Sequence, residues 1–358
     1  MRSILITIPL NTRLNLGPLG SYPVMGWGLV LAAWCLLGAF WAWNWYRITP
    51  ADKRRHWPLG DAMIWFLIAA AIEAAPRLLD HINIYGYGAM LLAGFATAAW
   101  VAGRRLKNLG YNGDLAIDAA MWILMSGIVG ARLFFIVQYH ERFFVPGRGV
   151  KEVLVSLVNL PDGGLVFYGG MISGGLAYWL FCRMRGLEAL ALADILITSV
   201  LIGMAFGRVG CLLNGCCYGD VSTLPWAITF PRDSVPYNVE IARGLIARDA
   251  PFSLPLHPTQ IYSSLSSLLL ALVTWAYYPF RRTNGEVLAI GWVCYPVTRF
   301  IVEFLRGDEP GRFGTPLTIG QIVSLGLIVT GMAFYWYIHR ANARLTALNS
   351  PCRTTTAR

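Results

Sequence analysis

Residues 189–212 read ALALADILITSVLIGMAFGRVGCL, an unbroken apolar run whose only charges are Asp194 and Arg208. As a helix rising about 1.5 Å per residue, some 20 such residues cross a bilayer core of about 30 Å. The buried strand of a soluble α/β protein is also apolar, but it stops after about 4–8 residues. The rest of the chain repeats the long pattern. Hydrophobic spans fall at about 23–44, 60–76, 86–103, 116–138, 164–184, 189–212, 258–279, 286–305 and 318–338. Across 358 residues, 56% are hydrophobic and 13% charged, with a mean hydropathy of +0.53. A typical soluble domain carries about 25% charge, so this composition excludes disorder and argues against a water-soluble enzyme. The expected fold class is all-α: a polytopic helical membrane protein of about nine transmembrane helices with a small periplasmic lobe.

The second span is the weakest, carrying Glu73 and ending at Pro76. The fifth is rich in glycine (Gly169, Gly170, Gly174, Gly175), a spacing that lets helices approach closely in lipid. The polar, proline-rich stretch 213–257 is long enough for an extramembrane lobe. The first 20 residues lack the contiguous apolar core of a signal peptide, being broken by Pro9, Asn11, Arg13, Asn15 and Pro18. The expected organisation is an N-terminal segment 1–22, one transmembrane catalytic domain 23–338, and a tail 339–358. The formal charge of +10 is read as loop charge rather than a nucleic-acid surface. The loops after the first, third, fifth, seventh and ninth spans hold fifteen of the 29 basic residues, at a higher density than the opposite loops. That bias places the N-terminus outside and the C-terminus inside.

Ionisable groups within membrane spans are costly and default to function. Arg132 lies late in the fourth span, Arg208 late in the sixth, and Arg299 and Glu303 late in the eighth. All three spans run inside to outside in this topology. The fifth and seventh run the other way, so Phe167-Tyr168-Gly169-Gly170 and His257-Pro258-Thr259-Gln260 share the outer face. Glu303 and Arg306 follow Arg299 at i+4 and i+7, on one helix face. Several guanidinium forks with one carboxylate make a net positive site that suits phosphate, and the abundant phosphate at this depth is a lipid head group. An ion pair that only fixes helix packing is the structural alternative for Arg299 and Glu303. His257 before proline reads as a hydrogen-bonder or a base, and Arg132 as a ligand or an anchor. The segment Gly207-Arg208-Val209-Gly210-Cys211-Leu212-Leu213-Asn214-Gly215-Cys216-Cys217-Tyr218-Gly219 is the densest motif. Its C-x4-C-C spacing is no standard zinc pattern, and the seven cysteines of the chain form no disulfide framework. Small packing residues are the favoured reading, with redox or metal chemistry the other.

These motifs resemble the prolipoprotein diacylglyceryl transferase family, whose defining stretch reads Gly-Arg-x-Gly/Ala-Asn-Phe-x-Asn-x-Glu-x-x-Gly. Gly207, Arg208, Gly210, Asn214 and Gly219 match it, while Cys211 stands for Asn and Cys216 for Glu, as in a cysteine-rich variant of the family. Supporting blocks are Gly130-Ala131-Arg132-Leu133, Gly169-Gly170, His257 to Tyr262, Tyr295 with Arg299-Phe300-x-x-Glu303-Phe304-x-Arg306, and Gly320-Gln321-Ile322-x-Ser324. Ser21-Tyr22-Pro23 resembles the Tyr-Gly of the family's first span. Two departures stand out. Tyr168 replaces the His of the family's His-Gly-Gly, and a phenol with a pKa near 10 is a poor base. The family has seven spans, which makes about 58–105 an inserted helix pair.

The resemblance implies that the diacylglyceryl group of phosphatidylglycerol moves to the lipobox cysteine thiol of pre-prolipoproteins, releasing glycerol-1-phosphate. Arg208, Arg299, Glu303 and Tyr168 are then the catalytic candidates. Arg208, Asn214, Tyr295, Arg132, Tyr22, His257 and Arg306 are the substrate-binding ones. The implied partners are phosphatidylglycerol, pre-prolipoprotein signal peptides and membrane lipid, without nucleic acid, for a monomer in the bacterial inner membrane. No cofactor or metal is expected. The competing functions are a phosphatidylglycerol-binding membrane protein without catalysis and a membrane thiol-redox or metal protein.

Overall fold

The computed structural model of the chain describes residues 4–10, 13–15, 21–24, 28–48, 59–78, 80–143, 149, 152–153, 156–157, 164, 166–306 and 316–349. The parts of the expected N-terminal segment, first inside loop and C-terminal tail beyond these ranges lie outside the described residues. The chain divides into two compact units, Arg2–Ala89 and Met90–Arg358.

The first unit holds α1 (Leu29–Ile48) and α2 (Leu59–Leu78). Trp34 and Trp65 join them, with ring centroids 4.0 Å apart and the Trp34 indole N–H donating to the Trp65 carbonyl at 3.2 Å. Glu73 pairs with Arg77 one turn on, which satisfies its charge within α2. The unit also contains structure that the all-helical expectation lacked. β1 (Ile4–Pro9) pairs antiparallel with β4 (His81–Tyr85), and β2 (Arg13–Asn15) pairs with β3 (Ser21–Pro23).

The second unit takes up α3 (Gly86–Asn108) near its start and continues with α4 (Leu115–Gln138), α5 (Phe167–Arg185) and α6 (Ala189–Asn214). A short helix α7 (Val235–Ala242) follows, then α8 (Thr259–Tyr277), α9 (Glu286–Glu303) and α10 (Ile319–Asn349). Among the described residues α3, α4, α6, α8 and α10 are long and apolar enough to cross a membrane. The other long helices coincide with the remaining expected spans, and the described residues alone do not establish nine crossings.

Small and hydroxylated residues knit these helices, as expected where lipid tails supply no hydrophobic drive between helices. At the α4–α5 seam a Cβ on Gly169 would sit 2.5 Å from the Gly130 carbonyl, so only glycine permits that approach. Ser264 on α8 donates to the Ala205 carbonyl of α6 at 3.1 Å, and Thr198 and Thr274 meet at 3.1 Å further along the same pair. These two contacts make α6 and α8 antiparallel. α9 returns beside α8, with Glu286 accepting from Tyr277 at 2.6 Å, and α10 returns along α9, with Gly331 against Trp292.

The two ends of this bundle are chemically different. At one end the fully buried Asp194 accepts from the Gly285 and Leu288 amides, each at 2.8 Å, and so caps the start of α9. It satisfies two of the donors that a helix N-terminus leaves open. At the other end lie the end of α6, the start of α8, the end of α9 and the start of α10. The antiparallel α5 puts its own start there too, since its far end meets α6 through Tyr178, whose hydroxyl donates to the Ala189 carbonyl. A lobe spanning 215–257 caps this end. It has a core of Tyr218, Phe230 and Leu256, and Ile228 and Val221 form bridges to Leu256.

Candidate active site

Glu303 is the centre of the polar end. It is the last residue of α9 and its side chain is fully buried. Its carboxylate accepts from Arg299 at 2.8 Å, from Arg306 at 3.4 Å and from the Thr318 hydroxyl at 3.0 Å. A buried carboxylate is tolerated only with such partners. The start of α10 is shaped around it. Thr318 and Gln321 cap one another, the Thr318 amide donating to Gln321 Oε1 at 3.0 Å and the Gln321 amide to Thr318 Oγ1 at 3.2 Å. A Cβ on Gly320 would lie 2.8 Å from Glu303 Oε1 and 3.4 Å from Arg299 Nη2. The carboxylate is therefore held from two helices.

Arg208 enters from α6. Its Nη2 donates to the Tyr295 hydroxyl at 3.4 Å, which leaves most of the guanidinium fork uncommitted by that long contact. Arg299 lies within electrostatic reach of Arg208, Arg306, Glu303 and Tyr295 together. Two guanidinium groups on one carboxylate, with Arg208 beside Arg299, leave a net charge of about +2 among largely buried side chains. Such a site suits a phosphate with developing charge.

The α6 terminus explains how the cysteine-rich motif folds. Gly215 adopts φ +71 and donates to the Leu212 carbonyl at 3.1 Å, while the Cys216 amide donates to the Cys211 carbonyl at 3.1 Å. This pair of bonds is a Schellman motif, which reverses the chain just after Asn214. It brings Cys216 and Cys217 back over Cys211, and the three sulfurs lie within 4.8 Å of one another. The start of α8 clamps the returned segment: Gln260 Nε2 donates to the Cys216 carbonyl at 2.8 Å and Thr259 Oγ1 to the Cys217 carbonyl at 2.7 Å. Both side chains are almost fully buried, and Gln260 Oε1 has no hydrogen-bond partner among the described residues. Hydrogen bonds from the Cys211 and Cys216 thiols, aided by the charges of Arg306 and Arg208, hold the Cys217 thiol well below the ordinary thiol range.

The remaining expected residues take different places. Arg132 spends its donors on backbone: Nε on the Leu157 carbonyl at 2.9 Å, Nη1 on Gly164 at 3.0 Å and Nη2 on Ser156 at 2.7 Å. It therefore holds the connection between α4 and α5. Tyr168 sits at the start of α5, 43% exposed. His257 Nδ1 is 3.4 Å from the Tyr262 hydroxyl, which itself accepts from the Trp226 indole at 2.7 Å. The His257 carbonyl accepts from Gly219, and the neighbouring Asp220 amide donates to the Leu305 carbonyl, so this backbone stitches the lobe to the end of α9. Tyr22 lies on β3 in the other unit. Gln260, Thr318 and Gly320 are the residues around this end that the sequence reading did not select. Gln260 and Gly320 lie within the His257–Tyr262 and Gly320–Ser324 blocks, whereas Thr318 lies two residues before the second block.

A family model described as prolipoprotein diacylglyceryl transferase matches residues 73–337. A phosphatidylglycerol–prolipoprotein diacylglyceryl transferase of Clostridium tetani is 35% identical over 254 residues, covering 71% of this chain and 93% of that protein. A protein of the same name from Azotobacter vinelandii is 30% identical over 281 residues, covering 76% of this chain and 97% of its own length. One from Rhodopirellula baltica is 26% identical over 375 aligned positions, 76% of each chain. The matched stretch contains Arg132, Tyr168, Arg208, Asn214, His257, Tyr295, Arg299, Glu303 and Arg306. It excludes Tyr22.

Proposed function

Since this chain belongs to the prolipoprotein diacylglyceryl transferase family, we propose that it transfers the diacylglyceryl group of phosphatidylglycerol to the lipobox cysteine thiol of a pre-prolipoprotein, releasing glycerol-1-phosphate. The observation that supports this reading is the pairing of Arg299 and Arg306 with the buried Glu303 at the lobe-capped end of the helices, with Arg208 within electrostatic reach of Arg299. The substrate sulfur attacks a glycerol methylene, the C–O bond breaks, and the bonding pair leaves on the phosphate. The charge that grows there needs cations already in place. Arg208 grips the phosphate through its fork, and Arg299 does so from the opposite helix. Glu303 touches no substrate: it positions Arg299 and Arg306 and keeps both charges tolerable when buried. Tyr295 and Asn214 orient the head group, and the open acceptor of Gln260 takes a hydrogen bond from a glycerol hydroxyl.

Arg132 is an anchor of the α4–α5 connection in this account, and His257 a structural hydrogen-bonder. The family match begins at residue 73, so α1 and most of α2 are the better candidates for the added helices, with α3 among the family's own. Tyr87-Gly88 at the start of α3 then takes the place of Tyr22 as the first-span Tyr-Gly. With the N-terminus outside and the C-terminus inside, the lobe and the site face the periplasm, where exported lipoproteins present their thiol. The chain acts as a monomer.

The test incubates the purified protein in phosphatidylglycerol vesicles with a lipobox peptide. A mass gain of one diacylglyceryl unit on the cysteine, absent from a Cys→Ser peptide, supports the transferase. Retained lipid with no such product supports the non-catalytic binder. Tyr168→Phe keeps turnover in this account, because the exposed phenol is not the base.

A further inference from the structure

The transferase reading leaves the substrate thiol without an evident activator, and Cys211, Cys216 and Cys217 without a task. We propose that these three cysteines form a zinc site whose fourth position is taken by the lipobox thiol. The inference rests on the transferase reading for the identity of that thiol.

The geometry is close to a ready-made ligand set. Tetrahedral thiolate zinc has Zn–S near 2.3 Å, which places sulfurs about 3.8 Å apart. The three sulfurs here already lie within 4.8 Å of one another, so rotamer adjustment of about 1 Å closes the set. The backbone under them is fixed rather than fluid. The Schellman turn holds Cys216 over Cys211, and Gln260 and Thr259 grip the Cys216 and Cys217 carbonyls. Cys217 sits at φ +56, in the left-handed region that a side chain seldom occupies. A residue that only filled space would not need that conformation. All three cysteines are half-buried, whereas Cys182, which does fill space, is 1% exposed.

The charge also balances. Three thiolates and Zn²⁺ sum to about −1, and Arg208 acts electrostatically on Cys211 and Cys217 while Arg306 acts on Cys217. Arg208 stands three residues before Cys211, on the same face of α6. The cation that grips phosphate and the sulfurs that hold metal are thus neighbours.

Three protein ligands and one exchangeable position are the pattern of catalytic zinc. A thiol that coordinates zinc gives up its proton to solvent. The lipobox sulfur therefore needs no protein base, which accounts for a tyrosine at position 168. The held sulfur forms its bond to the glycerol carbon as the C–O bond breaks, and glycerol-1-phosphate leaves with the electron pair. The thioether product is a weak ligand and is exchanged for water. Cu(I) would bind three thiolates without room for a fourth, and it needs a reductant. A disulfide needs an oxidant and leaves one sulfur over.

The test uses the full chain purified with and without chelator. Elemental analysis is expected to give roughly one zinc per chain, unchanged in Cys35→Ser and lost to background when Cys211, Cys216 and Cys217 are all Ser. Maleimide labelling of the unaltered protein covers the case in which that variant fails to fold. The three thiols should resist labelling until zinc is chelated. With Co²⁺ in place of zinc, thiolate-to-cobalt bands should appear and shift on adding lipobox peptide, but not its Cys→Ser form. Thiols that label freely in zinc-supplemented protein, binding of copper alone, or a disulfide among the three overturns the site. A cobalt spectrum indifferent to the peptide overturns its role. Transfer that survives complete zinc removal also overturns that role while leaving the transferase intact. Zinc binding without any lipidated peptide refutes the transferase and keeps the metal.

Discussion

Arg208→Lys keeps the positive charge of Arg208 and removes its shape. In the structure the guanidinium commits one nitrogen to Tyr295 through a long 3.4 Å contact, so its remaining donors are available to a phosphate. A guanidinium offers two parallel N–H donors to two phosphate oxygens, and an ammonium offers a point charge. The substitution therefore costs about one charge-assisted hydrogen bond, which is worth about 1.5–3 kcal/mol. If that bond strengthens as the phosphate leaves, kcat falls by about 10–150-fold with little change in KM. The assay is initial-rate lipidation of a lipobox peptide in phosphatidylglycerol vesicles, read by mass spectrometry, with helicity checked by circular dichroism. A properly folded Arg208→Lys protein within threefold of the parent rate would refute the idea that the fork, rather than the charge alone, does the work. A rise in KM with kcat unchanged would place Arg208 in ground-state lipid binding instead.

Glu303→Gln leaves Arg299 and Arg306 buried without their shared carboxylate, and breaking a buried pair costs about 3–5 kcal/mol. The melting temperature should drop and kcat fall by about 10²-fold or more, while KM for phosphatidylglycerol does not rise, because the site gains net positive charge. Gly320→Ala places a methyl 2.8 Å from Glu303 Oε1. The displaced carboxylate should lower turnover on the order of tenfold, with the helical content unchanged. Burial raises the Glu240 carboxyl above the usual carboxylate range, against the opposing bond from the Leu254 amide. Its contribution is thus full below the unfolded value of about 4.3 and is lost as pH rises through the higher folded value. Glu240→Gln should flatten the decline in lobe thermal stability across that window, and an unaltered slope would count against a buried, proton-holding Glu240.

Much of the site was legible before any coordinates because membrane spans impose alternation. Arg132, Arg208 and Glu303 each end a span running in one direction, and Tyr168 and His257 each begin one running in the other, so their common end followed from counting. The helical repeat likewise put Arg299, Glu303 and Arg306 on one face. The fates of individual side chains were less accessible. Arg132 and Arg208 are equivalent in the sequence, yet one is consumed by the carbonyls of Ser156, Leu157 and Gly164. That depends on where a loop returns, which periodicity does not encode. Asp194 reads as an isolated intramembrane charge until the start of α9 is placed against it. The cysteines read in the sequence chiefly as small packing residues, with redox or metal chemistry the alternative, because their spacing fits no standard metal pattern. Their clustering depends on the Asn214-Gly215 helix terminus, which folds Cys216 over Cys211. The paired strands of the first unit were not anticipated, since their long-range register joins residues far apart in the chain.

A structure of the full chain in a phosphatidylglycerol nanodisc tests the account at its centre. The lipid phosphate is expected at the lobe-capped end, within hydrogen-bond distance of both Arg208 and Arg299, with Glu303 behind Arg299 and away from the lipid. A head group bound elsewhere, or the two arginines turned toward bulk lipid or toward opposite leaflets, would contradict it.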